Sequence, residues 1–166
     1  MAVAQPYEIR IVKWGFVLLL AFFLEACSSS RSSWHRGFSR EEWNGSVQCA
    51  PYARKHSNIK LVGNAASWWW EARGRYRRSH RPHRGDVLVF RASRRLPLGH
   101  VCVVRQVRGS RLVLVDHANW EPGVVTRRAP IVDVSPRNNW TRVRVWWTPT
   151  HAVGKTVYST YGFIEP

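Results

Sequence analysis

Apolar and polar positions change their period near residue 85 of this 166-residue chain. Before that point, two segments have the composition of helices. The first begins at Cys49, where Pro51 suits the first turn. The second covers residues 64–73, and its three consecutive tryptophans at 68–70 cannot all lie on one helix face. We therefore predict two helices, with at least one of these tryptophans near the surface.

After residue 85, short apolar runs alternate with turn residues. These runs predict strands over residues 86–90, 99–108, 111–119, 124–127, 131–134 and 141–147. Gly109 and Ser110 are expected to form a two-residue hairpin turn between the second and third strands. Two helices followed by an antiparallel sheet of five or six strands predict the α+β class, with the helices packed on the sheet.

The N-terminus carries the pattern of an export signal. Two basic residues precede an apolar run over residues 14–24, which is too short to span a bilayer and has the length of a signal-peptide core. The following residues resemble a bacterial lipobox that ends at Cys27, apart from Glu25. We expect residues 1–26 to be the signal peptide and Cys27 to be lipidated. An uncleaved anchor, or a secretory signal that leaves Cys27 unmodified, is the alternative.

Composition also sets the expected boundaries of the mature chain. Residues 27–42 are rich in serine and arginine and predict a tether, whereas residues 43–147 predict one domain. Residues 148–166 are expected to form an extension that packs on this domain. The chain should therefore be a monomeric lipoprotein that faces the periplasm, in the outer membrane if the host is Gram-negative.

The charge of the chain narrows the choice of partners. A formal net charge of +16 predicts attraction to polyanions: nucleic acid, anionic lipid or a carboxylate-rich wall polymer. An export signal separates the chain from intracellular nucleic acid, and no nucleic-acid-binding motif is present. His80 and His83 lie in an arginine-rich loop without an acidic or thiol neighbour, so we expect neither a metal site nor a cofactor.

Cys49 is the candidate nucleophile. A thiol at a helix N-terminus feels the positive end of the helix macrodipole and unpaired amide donors, which favour the thiolate and lower the thiol pKa. Such a thiolate can attack a carbonyl if a histidine acts as its base. Two other readings stay open. Cys49 could be a small buried residue at a helix start, or it could form a disulfide with Cys102 in an oxidising compartment.

His100 opens the second predicted strand and is the candidate general base. Pairing across the predicted turn places Asn119 opposite His100, where its amide can orient the imidazole. Asp116 would pair with Val103 and point away, unless a bulge shifts the register. Its charge would nevertheless stabilise an imidazolium better than an amide could. Asn119 is therefore the leading candidate for the orienting residue, and Asp116 is the alternative.

Four short motifs together carry a family resemblance. They are Gln48-Cys49 at a helix start, Pro82-x-x-Gly85-Asp86-Val87 before a strand, Gly99-His100-Val101, and Asn119-Trp120. In this order they resemble the CHAP (cysteine, histidine-dependent amidohydrolase/peptidase) domain, whose fold is papain-like α+β. The resemblance implies that Cys49 is the nucleophile and His100 the base. The family's Glu-x-Asn triplet corresponds to residues 117–119, where His117 stands at the glutamate position.

The resemblance also implies a substrate. The expected function is an exported cysteine amidohydrolase or endopeptidase that cleaves an amide or peptide bond of peptidoglycan through a thioester, with Gln48 and Trp120 in contact with the substrate. Peptidoglycan and, through the lipid anchor, the membrane are the expected partners. The alternative is a catalytically inactive, basic lipoprotein that binds the cell wall. A nucleic-acid-binding module is a weaker alternative.

Overall fold

The sheet of this protein closes on itself. The computed structural model describes residues 39–42 and 47–166, and within them the strands are β1 (Ser39–Glu42), β2 (Arg77–Ser79), β3 (Val87–Phe90), β4 (His100–Gly109), β5 (Leu112–Ala118), β6 (Val124–Asp133), β7 (Arg142–Trp147), β8 (Ala152–Val153) and β9 (Tyr158–Glu165). The helices are α1 (Cys49–His56) and α2 (Trp68–Glu71), and 3-10 turns cover Ala65–Ser67 and Thr148–Thr150.

Six of these strands form a closed ring. Its order is β3, β4, β5, β6, β7 and β9, and β9 pairs in turn with β3. Three short strands lie beside the ring: β1 pairs with β6, β2 with β9 and β8 with β7, all antiparallel. The described chain is thus mostly β with two short helices, so the predicted α+β class, with N-terminal helices packed on an antiparallel sheet, is wrong.

Strand β3 of the ring is apolar on both of its faces. In β3, Leu88 and Phe90 point into the cluster that fills the ring, whereas Val87 and Val89 join a second cluster beneath the helices. All four side chains are fully buried. An open sheet would need a large helical layer to cover each apolar face, and α1 and α2 are too short to provide it. Curling into a ring buries one face without helices.

The second predicted helix is much shorter than expected. Residues 64–73 form a 3-10 turn and then α2, and the side chain of Asn64 makes no capping hydrogen bond. Trp68 is fully buried in the cluster between the helices and the outer face of the ring, whereas Trp70 is 54% exposed. The expectation of a tryptophan near the surface is therefore confirmed.

The predicted strands differ from the observed ones mainly in the second half of the chain. The two strands predicted over residues 124–127 and 131–134 are one strand, β6, which runs from Val124 to Asp133 and leaves out only Val134. Arg128 there has a left-handed backbone (φ 53°) and Pro130 cannot donate to a ladder, which explains the apparent break in the sequence pattern. The predicted C-terminal extension contains β9, a strand of the ring.

The export predictions concern a part of the chain that the structure does not describe. The signal peptide at residues 1–26, the lipidated Cys27 and the tether as far as residue 38 all lie outside the described residues. The last four residues of the predicted tether form β1 and pair with β6. Within residues 39–42 and 47–166, no helix has the length and apolar character needed to cross a membrane.

Candidate active site

Cys49 is the first residue of α1, as the sequence predicts. Gln48 precedes it in an extended conformation, and its carbonyl accepts the first helical hydrogen bond, from the N–H of Tyr52 at 3.1 Å. Pro51 lies within the first turn, where its missing N–H leaves no helical bond unmade. The chain therefore enters the helix directly at the thiol.

The surroundings of the thiol act on its pKa in opposite directions. Burial raises the pKa of the Cys49 thiol, and this effect is the largest. Backbone N–H groups of Val101, Ala50 and Cys49 itself hydrogen-bond the sulfur and lower the pKa by less. The amide donors expected at the helix start are present, but the predicted net lowering of the thiol pKa is wrong because burial outweighs them.

His100 is fixed at the beginning of β4 by the residue before it. Gly99 has a φ of +71°, and a Cβ at this position would lie 2.7 Å from the Cβ of Ala66 and 2.7 Å from the carbonyl oxygen of Phe90. Only glycine fits this close approach without strain. The chain therefore passes tightly against the 3-10 turn and places His100 at the mouth of the ring, where it is only 3% exposed.

Cys49 and His100 line the same pocket. Its volume is about 590 Å³ and its wall also includes Gln48, Asn119 and the loop over residues 95–99. Across the pocket rim, the side-chain amide of Asn119 donates to Oε1 of Gln48 at 3.2 Å. A nucleophile and a histidine base at one concave site are the two groups that acyl transfer by a cysteine requires.

The imidazole of His100 contacts a second histidine. Its Nε2 lies 3.3 Å from Nδ1 of His117, and the two rings meet edge to face. Trp120 stacks on His117 and meets His100 at an angle, while Phe90 meets the other side of His100. The side chains of Trp120 and Phe90 thus pack around His100 and His117 and fix the orientation of both imidazoles.

Burial also sets the protonation of the two histidines. It lowers the pKa of His117 to about 3. The pKa of His100 lies well below its ordinary value, first because of burial and then because of the neighbouring His117. Both rings are therefore neutral at pH 7.

The comparisons with known proteins bear on these residues. Residues 40–119 match the family model of the CHAP domain. CHAP domains are generally hydrolases of the cysteine- and histidine-dependent amidohydrolase/peptidase type, so the match suggests a peptidoglycan-related amidase or peptidase activity. The matched segment contains both Cys49 and His100. No curated protein and no solved structure matches the chain.

Asp116, the alternative orienting residue, lies away from His100. It pairs with Val103 across β4 and β5, as predicted. Its carboxylate accepts hydrogen bonds from Nε of Arg105 at 2.7 Å and from the backbone N–H of Arg128 at 2.8 Å. Arg105 also donates to the carbonyl of His56, at the C-terminal end of α1. Asp116 is thus linked, through Arg105, to the helix that carries Cys49.

Asn119, the leading orienting residue, lies at the edge of the CHAP-matched segment. Its φ is 59°, and its side-chain oxygen accepts the N–H of Gly123 at 3.0 Å while its amide donates to Gln48. Within the part of the chain that the structure describes, no hydrogen bond joins Asn119 to His100. Its role, like that of Asp116, therefore stays a prediction.

Two further predicted residues have clear positions. Gln48 is exposed and lines the pocket, which is compatible with substrate contact. Trp120 is partly buried and packs behind the two histidines and against Tyr158. Its contacts are those of a residue that supports the imidazoles, and its contact with substrate stays a prediction.

Cys102 is the remaining thiol of the region. It is a fully buried member of the cluster inside the ring, and both it and Cys49 are free cysteines. Its pKa lies well above the ordinary value, first because of burial and then because of the nearby Cys49 and Asp116. In this structure Cys102 therefore acts as a small core residue, and the nucleophile is not blocked by a disulfide.

Sequence reasoning missed the contact between the two histidines. The family resemblance aligns His117 with the glutamate of the CHAP triplet, but it did not predict a contact between His117 and His100. The available signal was strand alternation, because His117 and Asn119 lie on the same face as His100 and one strand away. A residue diagonally opposite another on the neighbouring antiparallel strand is close enough for a histidine side chain to reach it.

Proposed function

We propose that this protein is an exported cysteine amidohydrolase or endopeptidase that cleaves an amide or peptide bond of peptidoglycan. One observation carries the proposal: Cys49 and His100 line one pocket within the segment that matches the CHAP family. Cys49 is the nucleophile and His100 the general base and acid. The sequence pattern proposes Asn119 as the orienting residue, with Asp116 as its alternative. Gln48 and Trp120 are the proposed substrate contacts.

The reaction begins from a neutral pair. Because the pKa of Cys49 is raised and that of His100 is lowered, thiol and imidazole are both uncharged at pH 7. His100 takes the thiol proton as the sulfur attacks the carbonyl carbon, instead of holding a preformed ion pair. It then gives that proton to the leaving amine, which departs and leaves a thioester. Water, deprotonated by His100, hydrolyses the thioester and restores the thiol.

Charge stabilisation comes from backbone donors. The N–H groups of Cys49 and Ala50 at the start of α1, and that of Val101 on β4, already point at the sulfur. An oxyanion formed on a carbon bonded to that sulfur would lie within the same cluster of donors. Such donors stabilise a tetrahedral intermediate more than the ground state, because the negative charge develops only there.

The chain's charge supports a wall polymer as the substrate. The net charge of +16 attracts the carboxylate-bearing peptidoglycan. We propose that the protein is exported and faces the periplasm as a lipoprotein attached through a lipid on Cys27, in the outer membrane if the host is Gram-negative. It acts as a monomer, without a cofactor or a metal ion and without nucleic acid.

The test is hydrolysis of purified peptidoglycan by the full chain under reducing conditions. The parent should release new muropeptide ends, whose chemistry identifies the bond, and Cys49→Ala should release none. Cys102→Ala is the matched control, because it removes a thiol that lies in the core and is expected to leave hydrolysis intact. Equal release by the parent and Cys49→Ala would refute the assignment of the nucleophile.

A second candidate function is a wall-binding lipoprotein without activity. The basic charge alone would support it, and so would the replacement of the CHAP glutamate by His117. In that case the parent and Cys49→Ala would bind peptidoglycan equally, with a strong dependence on salt, and neither would release muropeptides.

A further inference from the structure

The strongest feature that the proposed mechanism leaves unused is the second histidine. His117 is 1% exposed, lies on β5 and directs Nδ1 at Nε2 of His100. Its other nitrogen, Nε2, is buried without a hydrogen-bond partner in the described residues. A buried polar atom left unpaired is unusual in a folded protein and calls for a reason.

The contact decides which nitrogen of His100 is available for chemistry. An imidazole has two nitrogens, and Nε2 of His100 is occupied by His117, so Nδ1 is the one left for the pocket. A neutral imidazole can act as a base only through the nitrogen that carries no proton. If Nδ1 of His100 is that nitrogen, the proton is on Nε2, and Nε2 must donate to Nδ1 of His117.

We propose that His117 is a further positioning residue of this site, in direct contact with His100: its Nδ1 accepts a hydrogen bond from Nε2–H of His100 and leaves Nδ1 of His100 unprotonated toward Cys49. This inference rests on the proposed cysteine chemistry and adds the residue that orients the base. In the attack step the S–H bond of Cys49 breaks and an N–H bond forms at Nδ1 of His100. The electron pair on sulfur forms the bond to the substrate carbonyl carbon, and the π pair of the C=O bond moves to the carbonyl oxygen.

The arrangement also determines whether the unpaired nitrogen of His117 carries a proton. When Nδ1 of His117 accepts, its own proton must be on Nε2, which is the buried donor without a partner. The opposite arrangement, with Nδ1–H of His117 donating to His100, would protonate His100 on Nδ1 and remove the base. The orienting contact therefore fixes the tautomer of both rings, at the expense of one unmet donor.

A neutral imidazole differs from the glutamate that CHAP domains carry at this position. A carboxylate accepts the same hydrogen bond but also stabilises an imidazolium through its charge. His117 supplies the orientation without the charge, which fits a resting pair of neutral thiol and neutral imidazole. Cys49 and Arg95 line the same pocket as His100, whereas the carboxylate of Asp116 lies away from it and accepts a hydrogen bond from Arg105.

The test is the tautomer of His100, read from the ¹⁵N chemical shifts of its imidazole in the full chain at pH 7. The parent should show the Nε2–H tautomer. His117→Asn places a carbonyl oxygen near the position of Nδ1 and should keep that tautomer, whereas His117→Leu should give a mixture of both. A parent with His100 protonated on Nδ1 would overturn the proposal, and so would an unchanged spectrum in His117→Leu.

Two controls separate this result from misfolding and from a failure of the proposed function. Circular dichroism must show native structure in both His117 variants, and His80→Gln alters an exposed loop histidine that should leave His100 unchanged. If the enzyme cleaves peptidoglycan, His117→Leu should lower kcat at least tenfold with little change in KM, and His117→Asn should recover most of it. The tautomer measurement needs no substrate, so it stands even if no hydrolysis occurs.

Discussion

At the scale of single residues, the candidate site is a set of ionisable groups that burial keeps uncharged. The thiol of Cys49 and the rings of His100 and His117 all have pKa values shifted toward their neutral forms. A desolvated site favours this state because an isolated charge loses its hydration there. Charge separation is then confined to the moment of reaction, when substrate occupies the pocket.

The raised pKa of Cys49 predicts the pH dependence of its alkylation. Iodoacetamide reacts with the thiolate, and a raised pKa keeps the thiol protonated to higher pH. The rate should therefore rise through a midpoint above about 8.5, the ordinary value for cysteine. The measurement follows the tryptic peptide that contains Cys49 by mass spectrometry in the full chain.

Cys102 provides an internal comparison in the same digest. Because it is fully buried in the core, its peptide should stay unmodified over the range in which Cys49 reacts. A midpoint for Cys49 below about 7.5 would match a helix-start thiolate and would contradict the dominance of burial.

At the scale of secondary-structure elements, the site depends on how three segments begin or end. Cys49 begins α1, His100 begins β4, and Asn119 follows the end of β5. Each of these ends is fixed by contacts outside the element: the thiol by the N–H of Val101, and β4 by the approach of Gly99 to the 3-10 turn. The chemistry therefore sits where elements meet, and its geometry depends on their packing.

Gly99→Ala should destabilise the fold through β4. The new Cβ would lie 2.7 Å from Ala66 and from the carbonyl of Phe90, in a backbone conformation that alanine rarely adopts. We expect a loss of about 2–4 kcal/mol in the free energy of unfolding, measured by urea denaturation.

Gly74→Ala is the matched control for this substitution. Gly74 has a φ of +75°, close to that of Gly99, but nothing lies within 4 Å of its Cβ position. Gly74→Ala should lower the free energy of unfolding only by the backbone strain, about 1 kcal/mol. Equal losses in both variants would show that the close approach at Gly99 contributes nothing.

Much of the element pattern could be predicted from local sequence. The alternation of apolar residues located β3, β4, β5 and β7, and pairing across the turn correctly placed Asp116 opposite Val103. The observed turn differs, because β4 pairs through Gly109 with Leu112 and bulges absorb the shift before it reaches the site. The register at Val103 and Val104 was thus correct although the turn was not.

The rest depended on contacts between distant parts of the chain. Closure requires β9 to pair with β3, and neither strand carries a local signal for its partner. Residues 64–73 predicted one helix, but α2 covers only Trp68–Glu71, and of its tryptophans Trp68 is fully buried. The contact of His117 with His100 needed the side-chain geometry of two strands, which periodicity alone does not supply.

At the scale of the whole molecule, the ring makes the C-terminal residues part of the core. Phe163 lies in the cluster inside the ring and Ile164 in the cluster beneath the helices, and both are fully buried. The strand that carries them pairs with β2, β3 and β7. The segment that matches the CHAP family ends at residue 119, so it leaves out three of the six ring strands.

Deletion of residues 148–166 should abolish the cooperative fold. The deletion exposes the edges of β3 and β7 and removes fully buried apolar side chains worth about 1.5–3 kcal/mol each, a large share of a typical stability of about 5–15 kcal/mol. Thermal unfolding followed by circular dichroism should show no sigmoidal transition. A chain that lacks only Pro166 is the control and should unfold normally. A sharp transition in the long deletion would show that the domain ends at residue 147.

The pairing of β9 with β3 also determines when the chain can complete its fold during synthesis. Val87 pairs with Ile164, so the contact that completes the ring joins the middle of the chain to its last residues. During synthesis the core stays incomplete until β9 has left the ribosome, and the open edges of β3 and β7 remain unpaired until then. Refolding should accordingly be slow for a chain of this length, about milliseconds to seconds, because its productive contacts are distant in sequence.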